Sequence, residues 1–217
     1  MNGRPLAINW LAENAPAILE TWFAGTEGGD AIADALFGDV NPGGKLPVTF
    51  PRDAGEEPFY YNRPSTGRPP SSEKYTSKYL DVPVAPLYPF GHGLSYTTFR
   101  LSNLRLSAQR VAPSAGVDVS VDVENTGQRE GDEVVQIYIR DLAASRVRPT
   151  KELKGFRRVT LQPGERRTLT FKLTREELGF YNTAMQYTVE PGQFKVFAAR
   201  SSADSDTLEA TFEVTAR

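Results

Sequence analysis

From Arg100 onwards the chain repeats one pattern that leaves little freedom of fold: short runs in which every second residue is apolar, each closed by turn-forming residues. Val117, Val119, Val121 and Val123 alternate with Asp118, Ser120, Asp122 and Glu124. Successive side chains of an extended chain point to opposite faces, so this spacing predicts a strand with one face in a core and an acidic face in water. Asn125-Thr126-Gly127 turns the chain, and Val135, Ile137 and Ile139 form the next set. Leu169, Phe171 and Leu173 follow the turn Gln162-Pro163-Gly164-Glu165. Glu190-Pro191-Gly192-Gln193 precedes Phe194, Val196 and Ala198, and Leu208, Ala210, Phe212 and Val214 close the series. About seven such strands in roughly 115 residues predict an antiparallel β-sandwich of the fibronectin type III or immunoglobulin kind over residues 100–217. The fold class is therefore mainly β.

Residues 1–51 follow another grammar. Pro5-Leu6-Ala7-Ile8-Asn9-Trp10 is a strand candidate. Ile18, Leu19, Trp22 and Phe23 recur at helical spacing, which predicts a helix over residues 15–23 with its cap region at Asn14 and Pro16. A second helix is predicted over Ala31–Phe37, stopped by Gly38. The turn Asn41-Pro42-Gly43-Gly44 then leads into a strand candidate, Lys45–Phe50. Such a β-α-α-β piece is too small to close a sheet or bury its own apolar surface, so it reads as an incomplete α/β segment needing a partner layer. Residues 52–99 read as a long loop between the two regions. Its aromatic content argues against a flexible spacer, because such rings normally bury area against something.

Composition narrows the function classes. The 217 residues carry a formal net charge of -2, which gives no bulk attraction to nucleic acid or anionic lipid. No segment approaches the length of a membrane span. Without cysteine there are no disulfides, thiolate metal sites or cysteine nucleophiles. No signal peptide is visible at Met1-Asn2-Gly3-Arg4-Pro5, so the compartment is unassigned; a periplasmic or secreted parent would carry its signal elsewhere.

Three phrases carry a family resemblance: Trp22-Phe23-Ala24-Gly25-Thr26-Glu27-Gly28-Gly29-Asp30 with the helix after it, Asn41-Pro42-Gly43-Gly44-Lys45-Leu46-Pro47-Val48-Thr49-Phe50-Pro51, and Pro86-Leu87-Tyr88-Pro89-Phe90-Gly91-His92-Gly93-Leu94-Ser95-Tyr96. Together with Glu124–Tyr138 and Pro149–Phe156, they resemble the C-terminal part of glycoside hydrolase family 3 β-glucosidases. The resemblance spans nearly the whole chain. It implies a parent enzyme with an upstream catalytic barrel and α/β domain as partners of this chain, acting on terminal β-linked glucose or a related sugar. It also implies a retaining mechanism, in which two carboxyl groups roughly 5 Å apart serve as nucleophile and acid. The family's Ser-Asp-Trp nucleophile phrase does not occur here, so no catalytic residue, cofactor or metal is assigned to this chain and none of its own turnover is expected. A homodimer is left open, while nucleic acid and membrane are not expected partners. The competing reading is a stand-alone carbohydrate-binding or adhesion module.

Among individual residues, Glu27 reads as a turn and helix-start residue, and the lone histidine, His92, as a packing residue. Ser95 has no neighbouring base. Asp118, Asp122 and Glu124 read as a solvated strand face rather than a calcium site. The candidates for substrate contact are Tyr60, Tyr61, Asn62, Arg63, Arg68 and Tyr75, because aromatic faces and planar polar groups suit sugar recognition, although packing between domains is the stronger reading of such tyrosines.

Overall fold

The computed structural model describes residues 2–203, 205 and 207–216. In chain order the helices α1 (Asn9–Asn14) and α2 (Gly28–Phe37) precede the strands β1 (Phe99–Leu106), β2 (Arg110–Val111), β3 (Val117–Asn125), β4 (Gly131–Asp141), β5 (Glu152–Leu161) and β6 (Arg166–Leu173). A short helix α3 (Arg175–Leu178) leads to the small hairpin β7 (Phe180–Tyr181) and β8 (Tyr187–Thr188), followed by β9 (Gly192–Ala199) and β10 (Leu208–Val214). One sheet has the order β1-β3-β6 and the other β2-β10-β9-β4-β5. All pairings are antiparallel except the short β2 with β10.

The alternation read in the sequence places the core. Val117, Val119, Val121 and Val123 of β3 are buried, in one cluster with Val135, Ile137 and Ile139 of β4 and Phe194, Val196 and Phe212 of β9 and β10. The Phe194 and Phe212 rings stack at 5.5 Å. Burying each large apolar side chain contributes about 1.5–3 kcal/mol, which is what holds two sheets face to face. Strand β5 is not legible from alternation: it lies at a sheet edge, and its Phe156 is exposed on the outer side.

The acidic face of β3 differs from the solvated reading. Asp122 is buried, accepting hydrogen bonds from Asn103 Nδ2 at 2.8 Å and Thr168 Oγ1 at 2.7 Å and pairing with Arg105 at 3.3 Å. The register of β1 against β3 shifts between Ser102 and Arg105, and Asn103 there takes φ 54. The bulge thus brings the amide onto the carboxylate. These hydrogen bonds, from Asn103 first, hold the Asp122 carboxyl below the usual carboxylate range.

The beginning of the chain also differs from expectation. The strand expected over Pro5–Trp10 is absent: residues 5–8 form no regular element, and Asn9 and Trp10 begin α1. The expected helix over 15–23 is absent; that stretch forms no regular element and pairs with no strand among the described residues. Asn14 ends a helix instead of starting one, its Nδ2 donating to Trp10 O at 2.8 Å. Two causes lie in the sequence. Ala15 precedes a proline, which disfavours helical backbone, and it sits at φ -97, ψ 130. Trp22 takes φ 50, incompatible with a continuing helix. Helix α2 forms as expected, closed by Gly38 in the left-handed region with its N–H on Asp34 O. The strand expected over 45–50 reduces to a single bridge between Phe50 and Tyr88.

Candidate functional site

The outer face of β4 decides how the regions join. Val135, Ile137 and Ile139 point into the sandwich, so Gln136 and Tyr138 point outward, yet both are buried. They are covered by the loop that precedes the sandwich. Tyr61 stacks on Phe90 at 4.4 Å and meets Tyr138 edge-on at 5.8 Å, in a second small core with Phe197, Ala199 and Leu153. Gln136 Nε2 donates to Gly91 O at 3.2 Å and Arg200 O at 2.8 Å, while its Oε1 accepts from the Tyr138 hydroxyl. Burial pushes the Tyr138 hydroxyl pKa up, keeping it a neutral donor. The Lys151 ammonium lies 4.8 Å from the Phe197 ring centroid and donates to Ser202 O at 3.1 Å.

A second set of contacts fastens the α2 region. Lys45 Nζ pairs with Glu133 at 2.7 Å, both side chains largely buried, and donates to Gly93 O at 3.1 Å. Asn41 Oδ1 accepts from Ser95 Oγ and Tyr96 N, while its Nδ2 donates to Glu130 O at 2.9 Å. The Tyr96 hydroxyl donates to Ala35 O near the end of α2 at 2.6 Å. The phrase Gly91-His92-Gly93 is explained by proximity: a side chain at Gly93 would strike the Gly44 carbonyl, and one at Gly91 would strike Gln136. His92 between them stacks on Tyr88 at 5.2 Å, and burial together with the charge of Lys45 lowers its pKa. Glu27 sits at the N-cap of α2, its carbonyl accepting from Ala31 N, with no side-chain cap bond.

The six sugar-contact candidates do not form one cluster. Tyr61 is half-buried in the aromatic group above, its Oη accepting from Leu153 N at 3.3 Å, and desolvation raises its pKa. Arg63 fixes the loop through its backbone, its carbonyl accepting from Thr150 N at 3.0 Å, while its guanidinium lies 5.9 Å from the Phe59 ring. Tyr60, Asn62, Arg68 and Tyr75 are exposed, Tyr75 with Lys74 over its ring at 5.6 Å. Sequence reasoning misses Gln136, Tyr138, Lys45, Glu133 and Lys151, because a polar residue between apolar ones looks solvated when the covering segment is distant in sequence. Among the described residues, no group of three or more His, Cys, Asp or Glu is placed to hold a metal ion.

The other conspicuous surface belongs to the first region. Trp10, Phe23 and Phe37 are 71%, 83% and 86% exposed, with Ile18, Leu19, Leu36 and Val40 also open.

The fold defines a fibronectin type III-like sandwich, with a preceding segment that carries two helices fastened along one of its strands. The chain resembles the C-terminal part of family 3 glycoside hydrolases: residues 1–96 match the glycosyl hydrolase family 3 C-terminal domain, and residues 133–202 match the fibronectin type III-like domain. It is 55% identical over 206 residues to the periplasmic beta-glucosidase of Salmonella typhimurium, and 49% identical to a beta-xylosidase of Formosa agariphila. These alignments take in 94% and 95% of this chain but 27% and 28% of those proteins, so the chain corresponds to the C-terminal region of much longer relatives. The crystal structure of the beta-glucosidase from Listeria innocua in complex with glucose superposes with a TM-score of 0.94 at 44% identity, covering 99% of this chain and 30% of that one.

Proposed function

We propose that the chain works as the C-terminal part of a retaining β-glucosidase that removes terminal β-linked glucose, with the nucleophile and acid supplied by an upstream barrel and α/β domain. The observation that carries this reading is the exposure of the large apolar side chains Trp10, Phe23 and Phe37 around a stretch, 15–21, that pairs with no strand among the described residues. A nearly continuous apolar run such as Ala17-Ile18-Leu19 suits a strand covered on both faces in a parallel sheet. The missing neighbours are then strands and helices of the α/β domain. In this reading the sandwich clamps the assembly through Lys45–Glu133 and the Tyr61 cluster. The exposed loop bearing Tyr60, Asn62, Arg68 and Tyr75 borders the substrate site, and Tyr61 and Arg63 set its path.

The relatives include both beta-glucosidases and beta-xylosidases, so the choice of glucose is the finer part of the proposal. The test is hydrolysis of aryl β-glucoside and aryl β-xyloside by this chain alone and by a chain extended upstream through a barrel. Turnover is expected only from the extended protein, with the glucoside preferred. Turnover by the 217 residues alone would overturn the division of labour.

A further inference from the structure

The far end of the sandwich carries a feature that the junction does not use. Strand β6 runs from Arg166, paired beside Glu124, to Leu173, paired beside Val117. Its eight residues span about 25 Å at ~3.3 Å per residue. The contacts to Asn41 and Lys45 lie at the end where β4 begins, so Thr174 and α3 lie at the opposite end. There an open recess of about 610 Å³ is lined by Ser114, Thr174, Arg175, Glu176, Tyr181 and Tyr187.

Its walls are held in place. The Tyr187 hydroxyl donates to Glu176 O at 2.6 Å, and the Arg175 guanidinium lies 5.6 Å from the Tyr187 ring while donating to the Tyr187 carbonyl. Tyr181 meets Tyr187 edge-on at 5.2 Å and stays 59% exposed. The tip of the β7–β8 hairpin is pinned by Asn182 Oδ1, which accepts from Ala184 N and Gln186 N. The Glu176 carboxylate has no ion-pair partner among the described residues.

We infer that this recess is an accessory binding site for β-linked gluco-oligosaccharides, separate from the site of bond cleavage. The chemistry fits that ligand class. An exposed tyrosine face offers a flat apolar surface to the C–H face of a pyranose ring, while a carboxylate, a hydroxyl and a guanidinium around it suit the equatorial hydroxyls at the ring edge. An anionic ligand fits less well, because Glu176 lines the same recess as Arg175. The rigid tyrosine pair also limits the ordering entropy lost on binding. The inference shares the carbohydrate context of the proposed function but places a second contact on the sandwich.

The test is titration of the full chain with cellohexaose and laminarihexaose, followed by amide chemical shifts. Saturable binding with shifts at residues 174–187 is expected below about 10 mM, weakened about tenfold or more in Tyr181→Ala and unchanged in Phe156→Ala, which removes an exposed ring elsewhere on the sandwich. Glu176→Gln, which keeps size and removes charge, is expected to weaken binding less. No saturation by that concentration, or saturation equal in wild type and Tyr181→Ala, overturns the inference. The two readings fail separately. In an upstream-extended protein, Tyr181→Ala is expected to leave hydrolysis of a short aryl β-glucoside unchanged. If no extended form cleaves any glycoside while Tyr181→Ala still loses hexaose binding, the glycosidase reading falls and the accessory site stands.

Discussion

The sandwich and the first fifty residues use apolar side chains in opposite ways. In the sandwich, Val121, Ile137 and Phe194 are wholly buried, and both sheets close on one another. Before residue 51, Trp10, Phe23, Leu36 and Phe37 lie open, and few side chains are buried at all. The difference teaches where stability resides: one region has its own core, while the other borrows order from its neighbour through an ion pair, an asparagine and a few rings.

The sharpest way to test this contrast is to damage the closed core. Ile137→Ala leaves a cavity between the sheets and is expected to lower unfolding free energy by about 4 kcal/mol, read from urea melts. A loss no larger than that of a surface change would show that the sandwich is not the stable unit. Next, Lys45→Ala leaves the Glu133 carboxylate buried without its partner, at an expected cost of about 3 kcal/mol. A Lys45→Met, Glu133→Leu double variant should recover most of that loss, and hydrogen exchange should locate the damage at residues 41–50. Equal losses in the single and double variants would contradict the account of this joint.

Tyr61→Ala removes a ring from the cluster with Phe90 and Tyr138 and is expected to cost about 2 kcal/mol, whereas Tyr61→Phe, which loses one hydroxyl contact, should cost less than about 1 kcal/mol. Acid offers a further comparison inside the sandwich. Because the folded state depresses the Asp122 carboxyl, its stabilisation is present above the ordinary aspartate range and is lost as pH falls below about 4. Asp122→Asn should flatten that acid limb of the stability curve; an unchanged slope would assign the limb to other carboxylates. The smallest effect is expected at the open face. Phe37→Lys should alter this chain's stability by no more than about 0.5 kcal/mol, and its consequences should emerge only in an upstream-extended protein.

The same contrast explains what can be read in advance. Alternation in β3, β4, β6 and β9 is legible because each strand has one face in a core built from nearby sequence. Helix α2 is legible because Gly38 marks its end. The stretch 15–23 misleads because the spacing of a short apolar run cannot by itself establish a helix, and only Ala15-Pro16 hints at non-helical backbone. At the candidate site, tyrosines in a loop signal packing or binding without saying which, and the structure separates Tyr61 from the exposed Tyr60 and Tyr75. The partners of Tyr61 stay hidden in the sequence because Tyr138 and Phe90 are far from it along the chain.

The double burial of β4 bears on how this molecule can be subdivided. A truncation that starts at residue 99 would retain every strand of the sandwich and still uncover Tyr138 and Phe197, turning an interior wall into a sticky exterior. Anyone trimming the protein for expression should begin no later than Phe59, so that the aromatic lid travels with the strand beneath it.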